Sequence, residues 1–190
     1  MRVLGISSWE GGAEHSRLLA IIALPCILAV TAVKAEDLEH CYEAAGRMLV
    51  GDHELAINYY SHCINRGDLT VENLAISHNN RGLAHYHEGI YERAIQDYDE
   101  AIRLDPAYAI AYNNRCWIYG LMHRPNDALR DCNQSLRLSP DDPATLDSRA
   151  LAYWLLGEHD TARQDLERAR EIDPLYPNWQ ERFHEFEAMF

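Results

Sequence analysis

A set of residues returns every 34 positions through the middle and end of this chain. Arg81, Arg115 and Arg149 keep that step, and so do Ala94, Ala128 and Ala162. Asp97, Asp131 and Asp165 follow it, as do Pro106, Pro140 and Pro174. Several residue types recurring together at one period define a row of equivalent supersecondary units, not one irregular core. Such a unit cannot bury its apolar face alone, so the units must stack.

The unit that shows the pattern best is 75–108, AISHNNRGLAHYHEGIYERAIQDYDEAIRLDPAY. It contains two apolar stripes at helical spacing, with a break at Glu88-Gly89-Ile90. Leu74, Ile76, Leu83, Ala84 and Tyr86 form the first; Tyr91, Ala94, Ile95, Tyr98, Ala101, Ile102 and Leu104 form the second. Gly89 suits the left-handed residue that closes a helix. Pro106 is placed to end the second helix and to start the next, where a missing N–H does no harm. Small residues recur where the two helices must approach: Gly82 against Ala94 and Ala101, Cys116 against Ala128 and Ser135, Ala150 against Ala162 and Ala169. The expected fold is all-α, built from antiparallel helix hairpins.

These residues and this period resemble the tetratricopeptide repeat. The resemblance implies an α-solenoid with a right-handed superhelical twist, in which the first helix of each hairpin lines a concave face. It covers 37–176 as four repeats: 37–70, 75–108, 109–142 and 143–176. The first is in register only if Val71-Glu72-Asn73-Leu74 is an insertion, and four residues lengthen a helix by about one turn without rotating its face. Thr70 is the expected N-cap of that longer helix. In 177–190, Trp179, Phe183, Phe186 and Phe190 form one stripe, as a capping helix would. A docking helix for another subunit is the alternative.

Residues 1–35 lie outside the period. Arg17 precedes an apolar run from Leu18 to Val30, broken only by Pro25, and Val33 and Ala35 have the spacing of a signal-peptidase site. Thirteen apolar residues suit a secretory signal better than a bilayer span. Glu10 and Glu14 are unusual ahead of such a run; a start codon assigned too early would explain them, and an uncleaved anchor or a buried helix are the rival readings. The expectation is an exported protein, periplasmic for a Gram-negative source. Loss of 1–35 would leave 30 − 2 = 28 acidic against 17 − 3 = 14 basic residues, with no lysine, since Lys34 is the only one. That charge argues against nucleic acid and anionic membrane surfaces as partners.

Measured from the turn centres near Gly89, His123 and Gly157, Arg81 mirrors Asp97, Arg115 mirrors Asp131 and Arg149 mirrors Asp165. Structural ion pairs that could reach the next repeat are expected. The same mirror sets Cys116 opposite Cys132 and Cys41 opposite Cys63. An oxidising compartment permits disulfides there, while packed free thiols are the competing reading. No CxxC, HExxH or phosphate-binding glycine loop is present. The ten histidines have no ligand spacing, so neither metal nor cofactor is expected.

Transferred residue by residue, the resemblance places the groove at Asn79, Asn80, Leu83, Tyr86, Asn113, Asn114, Trp117, Leu121, Asp147, Leu151 and Trp154. It gives Asn80 and Asn114 the role of gripping a peptide backbone. Positions where some members carry a basic carboxylate clamp are here Cys41, Ala45 and their neighbours, so that clamp is missing. The function expected is a non-catalytic, exported scaffold that holds a protein or peptide in this groove. A structural subunit of a cell-envelope assembly is the alternative, and a thiol- or metal-dependent protein a more distant one.

Overall fold

The computed structural model describes residues 43–189. Among them are nine helices and no strand. After α1, described over 43–49, come α2 (His53–Arg66), α3 (Val71–His87), α4 (Tyr91–Leu104) and α5 (Ala109–Leu121). Then follow α6 (Pro125–Leu138), α7 (Pro143–Leu155), α8 (His159–Ile172) and α9 (Trp179–Met189). The closest packing is within the hairpins α3/α4, α5/α6 and α7/α8, and α5 also lies along α7. This is the expected α-solenoid of antiparallel hairpins, followed by a terminal helix. The signal-peptide reading of 1–35, Cys41 and Phe190 fall outside the described residues.

The ends of the helices follow from particular residues. The four inserted residues begin α3, which has 17 residues against 13 in α5 and in α7. Thr70 Oγ1 accepts from Asn73 N at 3.2 Å and caps it. Each first helix closes with paired backbone bonds: Gly89 N to Tyr86 O and Ile90 N to His85 O, at 2.9 and 2.8 Å. The same pattern recurs at His123–Arg124 and at Gly157–Glu158. Its central residue has positive φ, +73° at Gly89 and +54° at His123, where an ordinary side chain is tolerated under strain.

One expectation about prolines is corrected. Pro106 does not start the next helix; α5 begins at Ala109. Asp105 holds the intervening turn, accepting from Ala107 N at Oδ1 at 2.9 Å and from Tyr108 N at its carbonyl at 3.1 Å. Asp173 does the same after α8. Pro143 and Pro125, by contrast, do sit in a first turn, and Asp142 caps α7 by accepting from Thr145 N at 3.1 Å. At α9 the cap is reciprocal: Asn178 accepts from Glu181 N at 3.0 Å, and Asn178 N donates to Glu181 at 3.1 Å.

The hairpin cores are lined by the small residues of the period. Ala94, Ala128 and Ala162 are fully buried, as are Ala101 and Ala169. Where Ala101 and Ala169 stand in their repeats, the third repeat carries Ser135, whose hydroxyl donates to Ala109 O at 2.9 Å. A Cβ on Gly82 would lie 2.7 Å from the Tyr98 ring and 3.1 Å from Ala94 O, so glycine lets α3 and α4 touch. Cys116 and Cys132 are joined by a disulfide across the third hairpin, with Cα atoms 5.5 Å apart. Cys63 is also disulfide-bonded; its expected partner, Cys41, lies outside the described residues.

Candidate interaction surface

The first helices α3, α5 and α7 bring one side of the array together as a concavity of about 490 Å³. Of the expected groove residues, Leu83, Tyr86, Asn113, Asn114, Trp117 and Asp147 line it. Its far end is completed by residues that were not anticipated, Tyr176, Arg182 and Met189. Ile76 and Ile110, one period apart, are exposed and extend the apolar character of the α3 and α5 surface.

Five of the expected groove residues have other roles. Leu151 is fully buried: it packs into the space left by Gly120, whose added Cβ would lie 2.9 Å from it. It belongs to the core with Ala150, Ala162, Leu166 and Phe186. Leu121 packs against the same cluster, and so does Trp154, whose ring centroid is 6.0 Å from that of Phe186 on α9. Asn79 is 4% exposed and serves a ladder of amides. Asn114 Nδ2 donates to Asn79 Oδ1 at 2.9 Å, and Asn79 Nδ2 donates to Asn80 Oδ1 at 3.1 Å. Asn80 also hydrogen-bonds the buried Tyr60 hydroxyl. The Asn80 amide and one N–H of Asn114 are therefore engaged within the array.

That ladder has a gap in the middle. By its step of 35 residues, Asn113 should meet Ser148, but the Ser148 hydroxyl donates to Ala144 O in its own helix at 3.0 Å. Asn113 Oδ1 is left buried with no partner, in the wall of the concavity. An amide oxygen withdrawn from water and unpaired carries a desolvation cost, which an incoming N–H relieves if the side chain turns toward the concavity. One step further the ladder closes again: Arg182 on α9 grips Asp147 with Nε and NH2 at 2.7 and 2.6 Å. Burial raises the Asp147 carboxyl above the usual carboxylate range, against the lowering effect of Arg182 and Tyr176. Nearby, Trp117 Nε1 donates to the Tyr86 hydroxyl at 3.1 Å, which fixes the indole across the floor between α3 and α5.

The three arginines of the 34-residue period are spent on structure. Arg81, Arg115 and Arg149 each take one aspartate in two-pronged fashion: Asp97 at 2.9 and 2.6 Å, Asp131 at 2.6 and 2.8 Å, Asp165 at 2.8 and 2.7 Å. In each case NH1 reaches back to the preceding repeat, to Ser61 at 3.0 Å, Asp99 at 2.5 Å and Asn133 at 2.9 Å. The bridge to a neighbouring repeat thus runs toward the N-terminus. Among the described residues lining the concavity, Arg182 is the only guanidinium, and it is held by Asp147. No helix among the described residues is long and apolar enough to cross a membrane.

Comparison with known proteins bears on the array as a whole. Residues 75–108 and 122–177 match models of the tetratricopeptide repeat. A curated relative, small glutamine-rich tetratricopeptide repeat-containing protein 2 of Saccharomyces cerevisiae, is 36% identical over 85 residues, 45% of this chain. The match spans 23% of that relative's length. Among solved structures, the second repeat domain of human RPAP3, in complex with the HSP70 peptide SGPTIEEVD, is 29% identical. Its TM-score is 0.57, over 62% of this chain and 98% of that one. The second repeat domain of Spaghetti, bound to the HSP90 peptide SRMEEVD, is 33% identical with a TM-score of 0.51, over 52% of this chain and 92% of that one. MamA of Desulfovibrio magneticus shares the fold at 16% identity and a TM-score of 0.66, over 83% of this chain and 97% of that one.

Proposed function

Because this chain carries tetratricopeptide repeats, we propose that it is a non-catalytic interaction scaffold, exported from the cytoplasm, that receives an extended peptide in the concavity of α3, α5 and α7. The observation that carries the reading is the pairing of an apolar floor with one unmet acceptor. Leu83, Tyr86 and Trp117 offer surface for apolar side chains, and Asn113 Oδ1 offers a bond to a backbone N–H. Similar repeat domains hold short peptides, as the complexes with SRMEEVD and SGPTIEEVD do. Those peptides are acidic. Here the lining has no uncommitted cation among the described residues, so the partner is neutral or basic and docks by apolar contact, not through a terminal carboxylate. Export is supported by the apolar run before Glu36 and by the disulfide-bonded cysteines, which persist in oxidising compartments.

Selection from a library of random displayed peptides tests the groove. The selected peptides should be apolar with neutral or basic flanks, and should bind equally well when their C-termini are amidated. Leu83→Arg, on a half-buried position, should weaken them by at least about 2 kcal/mol while helicity is kept. If no peptide is selected, or if a folded Leu83→Arg protein binds as before, the groove is not the site. Association through the ends of the array would then be the better reading.

A further inference from the structure

The cleft between α2 and α4 differs in chemistry from its counterparts further along the array. It encloses about 240 Å³. Two of its residues on α3 are His78 and His85, where the next repeats carry Tyr112 and Leu146, and Tyr119 and Tyr153. On α4 it has Arg93, where the next repeats carry Asp127 and Thr161. On α2, Ser61 stands where the third repeat's arginine meets an aspartate, Asp99. Every one of these exchanges removes bulk or negative charge, or adds a basic group.

The charges inside the cleft leave a surplus of donors. Asp97 is taken by Arg81 and by His78, whose Nδ1 lies 3.0 Å from Oδ1. Glu100, also in the lining, is held by Arg103 at 2.8 Å. Arg93 is exposed and has no carboxylate within ion-pair distance among the described residues, and the Gln96 amide beside it has no described hydrogen bond. His85 is 9% exposed; its Nε2 is 3.9 Å from Asp97 Oδ2, and its Nδ1 is buried with no partner. Within the lining Arg81 and Arg93 balance Asp97 and Glu100; because Glu100 is answered by Arg103 from outside the cleft, Arg93 is left unpaired, and protonation of His85 adds a positive charge. This occurs on a chain of net charge −13, so composition does not explain it.

We propose that this cleft is a binding site for a small tetrahedral oxyanion, free phosphate or sulfate, held by the Arg93 guanidinium, the Gln96 amide and the Nδ1–H of protonated His85. In that state the His85 ring spans two acceptors, turning Nε2–H toward Asp97 and Nδ1–H toward the anion. Burial lowers the proton affinity of His85, Asp97 raises it, and Arg81 and Arg93 lower it further. Above the ordinary histidine value of about 6.5 His85 is mainly neutral, and there the anion binds with uptake of a proton. Affinity therefore rises as pH falls from neutral through the range in which His85 becomes charged. The site lies apart from the concavity and does not depend on the reading of that surface.

Calorimetric titration of the full chain with sodium sulfate, at about pH 5.5 and about pH 7.5 and constant ionic strength, tests this. Sulfate stays doubly charged across that range, so any change in affinity belongs to the protein; phosphate is run in parallel. The expected result is saturable one-to-one binding, at least about fivefold tighter at the lower pH. Arg93→Ala, at an exposed position, should lose about tenfold or more, whereas Glu100→Gln should bind at least as well. His85→Tyr, which installs the residue found in the next two repeats, should lose both binding and its pH dependence with unchanged helicity. Absence of saturable binding to the unaltered chain would overturn the proposal. So would an Arg93→Ala protein that binds like the original, or equal affinity at the two pH values.

Discussion

Arg149 holds Asp165 across the fourth hairpin through two parallel bonds, Nε to Oδ2 at 2.8 Å and NH2 to Oδ1 at 2.7 Å. The pair is one period on from Arg115 with Asp131 and two from Arg81 with Asp97. In each the aspartate is buried, so its charge depends on the fork that faces it. Arg115→Ala should cost about 3 kcal/mol, because Asp131 would be left buried and uncompensated and Asp99 would lose its bond. Arg115→Lys should recover little of this, since one ammonium cannot make three directed bonds. Urea denaturation of the two variants checks both statements; a loss below about 1 kcal/mol for the alanine variant would contradict them.

The Cys116–Cys132 disulfide closes a loop of 16 residues in the middle of the array. On the chain-entropy account such a link stabilises by about 3 kcal/mol. Replacing both cysteines with alanine should lower stability by an amount of that order, and reductant should shift the unaltered protein but not the variant. Equal thermal midpoints with and without reductant would show that the bond contributes nothing.

Two glycines should respond to substitution for different reasons. Gly89 has φ +73° with open space around its Cβ direction, so Gly89→Ala carries only the backbone cost, about 1 kcal/mol, and Gly89→Asn should cost less. Gly82 is helical and would clash with the Tyr98 ring and Ala94 O, so Gly82→Ala and Gly82→Asn should both destabilise. Overpacking of about 1–3 kcal/mol exceeds the gain of about 1 kcal/mol in helix propensity for the alanine. A tolerated Gly82→Asn would contradict the close approach of α3 and α4.

Acid should weaken the junction of the first two repeats in two stages. His85 has a proton affinity lowered in the fold by burial, so folding favours its neutral form. The stability it contributes is present above the ordinary histidine value of about 6.5 and is lost as pH falls through the folded value. Burial alone would raise the Asp97 carboxyl, but the hydrogen bonds and charges of His78 and Arg81 bring it below the usual value of 3.8. Its contribution is therefore lost only at lower pH. Urea midpoints measured without phosphate or sulfate should fall between pH 7 and 5, and His85→Tyr should make that limb shallower, leaving the part due to His87, whose proton affinity is also lowered by burial and by His53.

The hairpins were legible in the sequence because their signals are local and repeated. Gly89, the small residues facing Ala94 and the mirrored Arg81 and Asp97 all follow from one period. What covers a given residue does not. Leu151 and Trp154 share a period with Leu83 and with Tyr86, yet Leu151 fills the space beside Gly120 and Trp154 meets Phe186 of the last helix. A period fixes the face on which a side chain stands, while its neighbours depend on residues that break the period. Asn113 illustrates the same point: its open acceptor depends on Ser148 bonding its own helix, a choice invisible in residue spacing. Arg182 falls one period beyond Ser148, and its approach to Asp147 could have been found by extending the 34-residue count into 177–190.

The third bond of each repeated arginine always points the same way along the chain, from Arg81 to Ser61, from Arg115 to Asp99 and from Arg149 to Asn133. Each repeated arginine therefore finds the acceptor of its third bond on the segment that precedes it in the chain. Shortening the chain from its N-terminal end strands a guanidinium edge at each new boundary, whereas loss of the last helix strands a carboxylate, Asp147, whose partner is Arg182. The ties of the repeated arginines have a direction as well as a period.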